Sequence, residues 1–339
     1  MGYEEAIKGE AQRTEFRKAE KRYKLYKALR GSVHKAKLTD DLPPTDLTNV
    51  IDFSNIKHDN LPLNVSIAKL DYPCPWPVFT ITQRPGFYFL LGALDIDEQF
   101  GLIKESLGSF PQPPSRTNHT EFYGPIHNLW SAHAGPNRQH LVQLSNGTWE
   151  FMEEAALPSK SKSIAASTLV KKLRWATLGL QFDWSKRNYD VSLPHVKIPH
   201  KLSQLAKELA RPAMQKGEFH AEAAIVNYFG SDDMLGGHLD DMEADWSKPI
   251  VSISLGCKAI FLLGGESRED TPFAMFLRSG DVVLMAGPAR QCFHGIPRIF
   301  TGENSEVPFF QSKFSDSSDA PFVDYIKDSR ININIRQVY

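Results

Sequence analysis

The run Arg330-Ile331-Asn332-Ile333-Asn334-Ile335-Arg336, close to the end of the chain, alternates strictly between polar and apolar side chains. Because successive side chains of a β-strand point to opposite faces, the run predicts a strand with its polar residues on one face and its three isoleucines on the other. Buried guanidinium groups without partners are costly, and a guanidinium pairs well with a carboxylate. The polar face indicates either a binding site for a dicarboxylate or the outward face of an ordinary amphipathic strand, and the alternation alone leaves both interpretations open.

Short β-rich runs precede this strand through the last third of the chain. Turn sequences separate them, such as Gly264-Gly265 and Ser279-Gly280-Asp281. Short strands at regular spacing are typical of a sandwich or barrel, including the double-sheet jelly roll. We therefore expect a mostly β core with strands over residues 223–229, 250–255, 258–263, 273–277, 281–286 and 331–338.

Among these runs lie two histidines and an aspartate that could share a metal. His238 and Asp240 are two positions apart, and His294 follows His238 after 56 positions. On a strand, residues two apart share a face, so His238 and Asp240 are expected to point at one place. Two histidines and one carboxylate with open positions are typical of non-haem Fe(II) oxygenases. The competing interpretation is that the short motif arises by chance, since a lone histidine is more often structural.

Composition narrows the class of protein. The chain has 339 residues, a formal net charge of -1 and 41% hydrophobic residues, which is typical of a globular protein of one large or two ordinary domains. Three cysteines without a CxxC spacing support neither a disulfide framework nor a structural zinc site, so a reducing, intracellular compartment is expected. No apolar run approaches the roughly 18 residues of a membrane span, so no membrane partner is expected.

The N-terminal residues 1–38 differ from the rest in charge. They hold 11 lysines and arginines against five glutamates. The segment predicts a basic helix with an aromatic stripe that includes Phe16 and Tyr23. The stripe either docks on the domain or joins the basic residues in contacting nucleic-acid phosphates. The five glutamates argue against a mitochondrial transit peptide.

Taken together and in order, these motifs resemble the AlkB family of Fe(II)/2-oxoglutarate dioxygenases, and in particular the first subgroup of its eukaryotic homologues. Residues 170–339 carry the family motifs, and subgroup motifs such as Trp246-Ser-Lys-Pro249 extend the resemblance over most of the chain. The motifs of the last part are Asn227-Tyr-Phe229, His238-x-Asp240, Ala259-Ile-Phe-Leu-Leu-Gly-Gly265 with Arg268, Ser279-Gly-Asp-Val-Val283, His294 and Arg330-x-Asn-x-Asn-x-Arg336.

The resemblance implies an organisation in three parts. A basic helix over residues 1–38 would precede an N-terminal extension, 39–170, which carries an insertion on the substrate side. The dioxygenase domain, 171–339, would be a double-stranded β-helix, or jelly roll, with helices supplied by the N-terminal part.

The resemblance also implies roles for individual residues. Fe(II) would be bound by His238, Asp240 and His294. The 2-oxoglutarate site would use Asn227, Tyr228, Phe229, Arg330, Asn332, Asn334 and Arg336. Substrate would be contacted by Leu180, Gln181, Phe182, Arg268 and Trp130. No further catalytic residue is expected, because the iron, 2-oxoglutarate and O2 carry the chemistry.

The implied activity is oxidative demethylation of methylated nucleobases, with release of formaldehyde, succinate and CO2. By resemblance to the subgroup, N1-methyladenosine in tRNA is the first expected substrate. Alternatives with the same chemistry are N6-methyladenine in unpaired or flipped DNA, oxidation of 5-methylcytidine in tRNA, and a protein substrate such as a histone. A degenerate binding module is a further class. The expected protein is a monomer located in the nucleus, the cytoplasm or both, with mitochondria as another location.

Overall fold

The computed structural model describes residues 13–24, 45–57, 60–158, 161–183, 185–214, 216–308, 310–314 and 316–339. The helices are α1 Glu15–Tyr23, α2 Ile96–Gly108, α3 Thr120–Tyr123, α4 Leu129–Ala134, α5 Ala166–Lys171, α6 His200–Ala210, α7 Phe310–Lys313 and α8 Ala320–Ile326. The strands are β1 Val65–Ile67, β2 Val78–Ile81, β3 Phe87–Leu90, β4 Gln139–Gln143, β5 Trp149–Glu153, β6 Ser163–Ala165, β7 Trp175–Gly179, β8 Gln181–Asp183, β9 Asn188–Asp190, β10 Ala223–Phe229, β11 Leu235–His238, β12 Ile250–Gly256, β13 Ala259–Leu263, β14 Phe273–Leu277, β15 Val282–Met285, β16 His294–Ile299 and β17 Arg330–Arg336.

Strand β17 lies inside the larger sheet, between β10 and β12. The sheet has the order β1-β2-β3-β15-β12-β17-β10-β7, and its pairings are antiparallel. Both faces of β17 are buried, and the three isoleucines are fully buried. The predicted strand is therefore confirmed. Its polar residues do not face solvent, so the interpretation as an ordinary amphipathic strand with an outward polar face is wrong.

A smaller sheet completes the core, with the order β11-β16-β13-β14 and antiparallel pairings. One cavity is lined by strands of both sheets, including β10, β12 and β17 of the larger sheet and β11, β13 and β16 of the smaller one. Two facing antiparallel sheets with a site between them are the jelly-roll arrangement that the short strands predicted, so the expected mostly β fold is confirmed.

Helices cover the outer face of the larger sheet. The isoleucines of β17 belong to one apolar core with Leu102 and Ile103 of α2 and with Leu202 and Leu209 of α6. Helix α2 begins with a capping box, in which Asp95 accepts hydrogen bonds from the first turn and Glu98 accepts one from Asp95 N–H. Because the isoleucine face of β17 packs against these helices, β17 is held in one register. Its polar residues therefore point toward the smaller sheet.

The expected boundary at residue 170 falls inside one structural unit. Strands β1, β2 and β3 come from the predicted N-terminal extension, yet β3 pairs with β15 and extends the larger sheet. Phe79 and Ile81 of β2 and Phe87 and Phe89 of β3 are buried in the core between the two sheets, which explains why this segment belongs to the core. The insertion is also more regular than expected, because β4, β5 and β6 form a sheet of their own.

Of the predicted basic helix, the structure describes residues 13–24, and the remainder of 1–38 lies outside the described residues. Helix α1 buries Phe16 completely and Tyr23 almost completely against β13 and neighbouring residues. The described part of the aromatic stripe, Phe16 and Tyr23, therefore docks on the domain. In the portions of the chain that the structure covers, no helix is both long enough and apolar enough to span a bilayer.

Candidate active site and metal centre

His238, Asp240 and His294 come together at the end of the cavity formed by the smaller sheet. Each offers one ligand atom, and the three atoms lie within 4.8 Å of one another. His238 Nε2 is 4.0 Å from Asp240 Oδ1, and His294 Nε2 is 3.6 Å from Asp240 Oδ2. Two imidazoles and one carboxylate converge at a single point, as the sequence predicted.

The two histidines are brought together by strand pairing. β11 pairs with β16 so that His238 lies directly opposite His294, and their ring centroids are 4.4 Å apart. His238 Nδ1 lies 2.9 Å from the carbonyl of Gly236, and His294 Nδ1 lies 3.2 Å from the carbonyl of Cys292. A protonated Nδ1 that donates to a backbone carbonyl leaves Nε2 as the ligand atom, which is the usual arrangement in metal sites.

Asp240 reaches the site by a different route from the one expected. β11 ends at His238, so the alternation of a strand does not aim the carboxylate. Instead, Arg336 Nη2 donates to Asp240 Oδ1 at 2.7 Å, and Asn334 Nδ2 donates to Asp240 Oδ2 at 3.3 Å. Two residues expected to bind 2-oxoglutarate therefore hold a metal ligand in the structure.

The protonation states suit metal binding. Burial, together with the neighbouring His294, lowers the pKa of His238 to about 4, so its imidazole is neutral and able to coordinate near pH 7. Although burial opposes it, the Arg336 guanidinium keeps the pKa of Asp240 well below its usual range. The site thus presents a neutral imidazole at His238 and an ionised carboxylate at Asp240.

Arg330 is a buried cation with free hydrogen-bond donors. Its side chain is almost completely buried, and Nη2 donates to Ser254 Oγ at 3.0 Å. Among the described residues, Nε and Nη1 have no hydrogen-bond partner and no carboxylate forms an ion pair with the guanidinium. Burial lowers the pKa of Arg330 to about 10, which leaves it charged at neutral pH. A buried charge with donors to spare is suited to binding a carboxylate.

The asparagines beside Arg330 are held by neighbouring strands. Asn332 Nδ2 donates to Ser252 Oγ at 2.8 Å and to the carbonyl of Ile253 at 3.0 Å. Asn227 Nδ2 donates to Asn332 Oδ1 at 3.3 Å, in line with the pairing of these two residues between β10 and β17. Asn227 and Asn332 line the cavity together with Arg330, where the sequence placed the 2-oxoglutarate site.

The cavity has a volume of about 490 Å³, which is within the range of small-molecule sites. Its polar groups lie at one end and along β17, and the rest of its wall is mostly apolar. The lining residues include Phe182, Ile225, Leu235, Met242, Phe261, Leu277, Met285 and Ile296 as well as the metal and arginine residues. Arg187 also lines it and lies 3.6 Å from Asp241.

Two residues expected at the 2-oxoglutarate site lie elsewhere. Tyr228 points to the opposite face of β10, where it is buried in the outer core and donates to the carbonyl of Ser106 at 2.5 Å. Strand alternation puts it there, so the expected contact of Tyr228 with 2-oxoglutarate is wrong. Phe229 does not line the cavity, but its ring lies 5.2 Å from the guanidinium of Arg330 and supports that side chain.

Three residues expected to contact substrate have structural positions. Trp130 of α4 is buried and stacks on Phe322 at 4.8 Å, so the segment contributes to the core and not to the cavity. Gln181 is buried, donates to the carbonyl of Gly179 at 2.8 Å and accepts a hydrogen bond from Thr177. Leu180 packs behind Phe182 and does not line the cavity. The predicted substrate contacts of Trp130, Gln181 and Leu180 are therefore wrong, because each side chain packs against other residues of the protein and not toward the cavity.

The other two substrate candidates have different placements. Phe182 of β8 lines the cavity. Arg268 is exposed, does not line the cavity, and donates from Nη2 to the carbonyl of Gly237 at 2.7 Å. The expected contact of Arg268 with a base is therefore not what the structure shows, since its guanidinium is bound to the segment before His238.

Sequence reasoning missed a buried charge network next to the metal ligands. Arg290 donates from Nη2 to Glu243 Oε2 at 2.5 Å and to the carbonyl of Asp240 at 3.0 Å. Tyr189 donates to Glu243 Oε1 at 3.2 Å and accepts from Arg336 Nη1 at 2.8 Å. These residues are distant in sequence, and no spacing links them. Ser252 and Ser254 carried a signal, because two serines alternate with aliphatic residues in β12.

The fold and the donor set define a class of protein, that of the metal-dependent oxygenases. The donors fit Fe(II), since two histidines and one carboxylate are the ligands such enzymes use. The unpaired Nε and Nη1 of Arg330 fit one end of a dicarboxylate such as 2-oxoglutarate. The residues present therefore fit both groups.

Comparison with known proteins agrees with this class. The profile of the 2OG-Fe(II) oxygenase superfamily matches residues 126–336. The chain is 57% identical to the DNA N(6)-methyladenine demethylase ALKBH1A of Arabidopsis thaliana over 99% of this chain and 100% of that protein. It is 31% identical to the tRNA demethylase abh1 of Schizosaccharomyces pombe, over 77% of this chain and 82% of that one. It is 30% identical to the nucleic acid dioxygenase ALKBH1 of Homo sapiens, over 81% of this chain and 70% of that protein.

The chain belongs to the 2OG-Fe(II) oxygenase superfamily and, within it, to the AlkB family. It is a 2-oxoglutarate-dependent dioxygenase that uses Fe(II), 2-oxoglutarate and O2.

Proposed function

We propose that this dioxygenase removes N-methyl groups from adenine in nucleic acid, with N1-methyladenosine in tRNA as the first substrate to test. When bound, Fe(II) supplies the redox chemistry by which O2 oxidises 2-oxoglutarate to succinate and CO2 and the methyl group to a hydroxymethyl group, which leaves as formaldehyde. His238, Asp240 and His294 would bind the metal, and Arg330 would orient the co-substrate through its far carboxylate.

The observation that carries the proposal is the cavity wall next to the metal ligands. Phe182, Met242 and Phe261 offer apolar and aromatic surface for a planar base, and Arg187 and Asp241 add polar groups. Asp240 and His294 are recessed, with 11% and 10% of their side chains exposed, while 33% of the His238 side chain is exposed at the mouth of the site. A base stacked in a duplex does not reach such a site, so an unpaired, looped or flipped base is required. Loops of RNA present unpaired bases of this kind.

A second substrate has an observation in its favour. The Arabidopsis relative, which shares 57% of its residues with this chain over its full length, is named as a demethylase of DNA N(6)-methyladenine. The fission yeast relative is named as a tRNA demethylase. The substrate in the name of the Arabidopsis relative is a methylated adenine. Oxidation of the methyl group and release of formaldehyde proceed in the same way for N1- and N6-methyl groups. Unpaired DNA with N6-methyladenine is therefore our second candidate.

The test is a direct comparison of substrates. Protein loaded with Fe(II), 2-oxoglutarate and ascorbate is incubated with tRNA containing N1-methyladenosine, with N6-methyladenine in single-stranded and duplex DNA, and with a methyl-lysine histone peptide. Mass spectrometry of nucleosides and peptides, with formaldehyde release, gives the turnover of each. We expect methyl loss from tRNA, or from unpaired DNA, to exceed that from duplex DNA.

His238→Ala controls for contaminating activity and should abolish turnover. Turnover of the histone peptide alone, by a preparation that converts 2-oxoglutarate to succinate, would reject a nucleic-acid substrate. Greater turnover of N6-methyladenine in single-stranded DNA than of tRNA would select the second candidate over the first.

A further inference from the structure

Helix α1 contacts the segment that carries His238 through residues that do not line the cavity. Glu20 Oε1 accepts a hydrogen bond of 2.6 Å from the backbone N–H of Gly237, the residue before His238. The ring of Phe16 lies against the same residue, since a Cβ at Gly237 would lie 2.3 Å from Phe16 Cε1. A Cβ at Gly264 would lie 2.8 Å from Phe16 Cδ2. Two glycines therefore make room for one aromatic ring of the helix.

The peptide groups around Gly237 depend on partners outside the sheet. β11 is at the end of the smaller sheet and, within the described part of the chain, pairs only with β16, with an irregularity in register between Leu235 and His238. Backbone groups in an irregular edge strand need other hydrogen-bond partners. Glu20 binds the N–H of Gly237, and Arg268 binds its carbonyl while the Arg268 carbonyl accepts from Phe16 N–H at 2.9 Å. Helix α1 and Arg268 thus form a brace around the residue that precedes a metal ligand.

Glu20 is an unusual member of a basic helix. Only 5% of its side chain is exposed, and its second oxygen accepts from Arg17 Nη1 at 2.7 Å. Burying a carboxylate is costly unless hydrogen bonds compensate. The hydrogen bonds from Gly237 N–H and Arg17 therefore stabilise the buried Glu20 carboxylate. The other acid of this helix, Glu15, is 39% exposed and pairs with Lys18 on the surface.

We propose that Glu20 is a positioning residue for the metal centre: through Gly237 it holds the irregular end of β11 so that His238 faces Asp240 and His294. Metal affinity then depends on the docking of α1. By linkage, metal binding stabilises the docked helix by the same free energy. The proposal concerns metal binding alone and does not depend on which substrate is oxidised.

The test is titration of the metal-free full-length protein with Mn(II), without nucleic acid or 2-oxoglutarate, followed by calorimetry. Supporting residues around metal ligands typically change affinity by about 10- to 100-fold when they are removed. We expect Glu20→Ala to weaken Mn(II) binding by about 10-fold or more. Glu20→Gln should recover most of the affinity, because its amide oxygen still accepts from Gly237 N–H. Glu15→Ala, on the exposed face of the same helix, should bind Mn(II) as the unchanged protein does.

Co(II) absorption supplies a second readout, because its bands in the visible region report ligand geometry. Glu20→Ala should shift these bands, and Glu15→Ala should not. A Glu20→Ala protein that unfolds at lower temperature but binds Mn(II) with unchanged affinity and an unchanged Co(II) spectrum would show that α1 only stabilises the fold, and would overturn the proposal. If Glu20→Ala does not fold, Glu20→Met is measured instead, because its side chain has a similar length but no oxygen to accept from Gly237 N–H, and unchanged Mn(II) affinity in that variant overturns the proposal equally.

Discussion

Arg336 binds Asp240 through a 2.7 Å hydrogen bond, so a metal ligand is fixed by a strand that lies 96 positions away in the sequence. Arg336 is itself almost completely buried. Although burial opposes it, the Asp240 carboxylate raises the pKa of Arg336, and the pair remains ionised at any ordinary pH. The arginine also lies 3.3 Å from Glu243 and thus joins the metal ligand to the buried network around Arg290.

Replacing Arg336 should therefore weaken both the fold and the metal site. Arg336→Gln leaves Asp240 and Glu243 with less positive charge in a buried place, and breaking such a pair typically costs about 3–5 kcal/mol. We expect a loss of this size in the free energy of unfolding, measured by denaturant titration, and a Mn(II) affinity lower by about 10-fold or more.

The matched control for this prediction is Arg278→Gln. Arg278 forms ion pairs with Asp52 and Glu306 and does not line the cavity. It should lower stability while Mn(II) affinity stays the same. Equal losses of metal affinity in the two variants would argue that Arg336 acts through general stability.

Removing the charge of Arg330 should have opposite effects on stability and on function. Its guanidinium is buried without a carboxylate partner among the described residues, and burying a charge without a partner opposes folding. Arg330→Met should therefore raise the melting temperature of the protein without co-substrate. It should also weaken 2-oxoglutarate binding by about 100-fold, since truncating one partner of a buried charged pair costs about 2–5 kcal/mol.

Calorimetry with 2-oxoglutarate and Mn(II) checks both halves of this prediction. Mn(II) affinity without 2-oxoglutarate should remain as in the unchanged protein. A variant that melts earlier and still binds 2-oxoglutarate normally would show that Arg330 is held by the fold for structural reasons.

The strand β17 and the metal ligands were predictable from sequence because each has a short-range signature. Alternation with period two is imposed by the strand itself, and it separated the polar face of β17 from the isoleucine face without knowledge of its neighbours, but it left open whether the polar face is buried. The spacing of His238 and Asp240 pointed to two of the three ligands, although the strand geometry used to explain that spacing holds only for His238.

What sequence alone did not predict depends on contacts between distant segments. Gln181 and Trp130 are chemically suited to bind a base, yet Gln181 accepts a hydrogen bond from the N–H of Arg116, 65 positions away, and Trp130 stacks on Phe322, so both side chains lie in the interior. The network of Tyr189, Glu243 and Arg290 joins a hairpin, a loop and a short helical turn. Because tertiary packing decides these positions, local pattern and residue type do not identify them.

From the raised pKa of Asp281 we predict that the free energy of unfolding depends on pH. Burial raises the pKa of Asp281 from 3.8 to about 6, although the N–H groups of Gly92 and Arg278 donate to its carboxylate. A carboxyl with a raised pKa in the folded state contributes stability below its unfolded pKa, and this contribution is lost as pH rises through the folded pKa. The window is therefore about pH 4–6, and the change is at most about 3 kcal/mol.

Denaturant titrations of the unchanged protein and Asp281→Asn at pH 4.5 and pH 7 measure this effect. We expect the stability of the unchanged protein relative to the variant to fall between the two values of pH. Parallel curves for the two proteins across the window would show that Asp281 titrates normally in the folded state.

From the contacts of Tyr189 we predict that the hairpin β8–β9 affects the affinity for substrate. The buried hydroxyl of Tyr189 joins Arg336 and Glu243, and its ring packs edge-on against that of Phe182, with 5.3 Å between the ring centroids. Phe182 is the residue of this hairpin that lines the cavity.

Tyr189→Phe leaves two buried groups, Arg336 and Glu243, short of a partner, which typically costs about 1–3 kcal/mol. We expect lower stability and a KM for methylated nucleic acid that is several-fold higher, because Phe182 is less firmly held. Mn(II) affinity should change little, since Arg336 keeps its bond to Asp240. Tyr325→Phe is the matched control: its hydroxyl is also buried, but its ring packs on Trp130 and not on a residue that lines the cavity, so stability should fall while KM is unchanged. A rise in KM of the same size in both variants would mean that substrate affinity follows overall stability and not the contact between Tyr189 and Phe182.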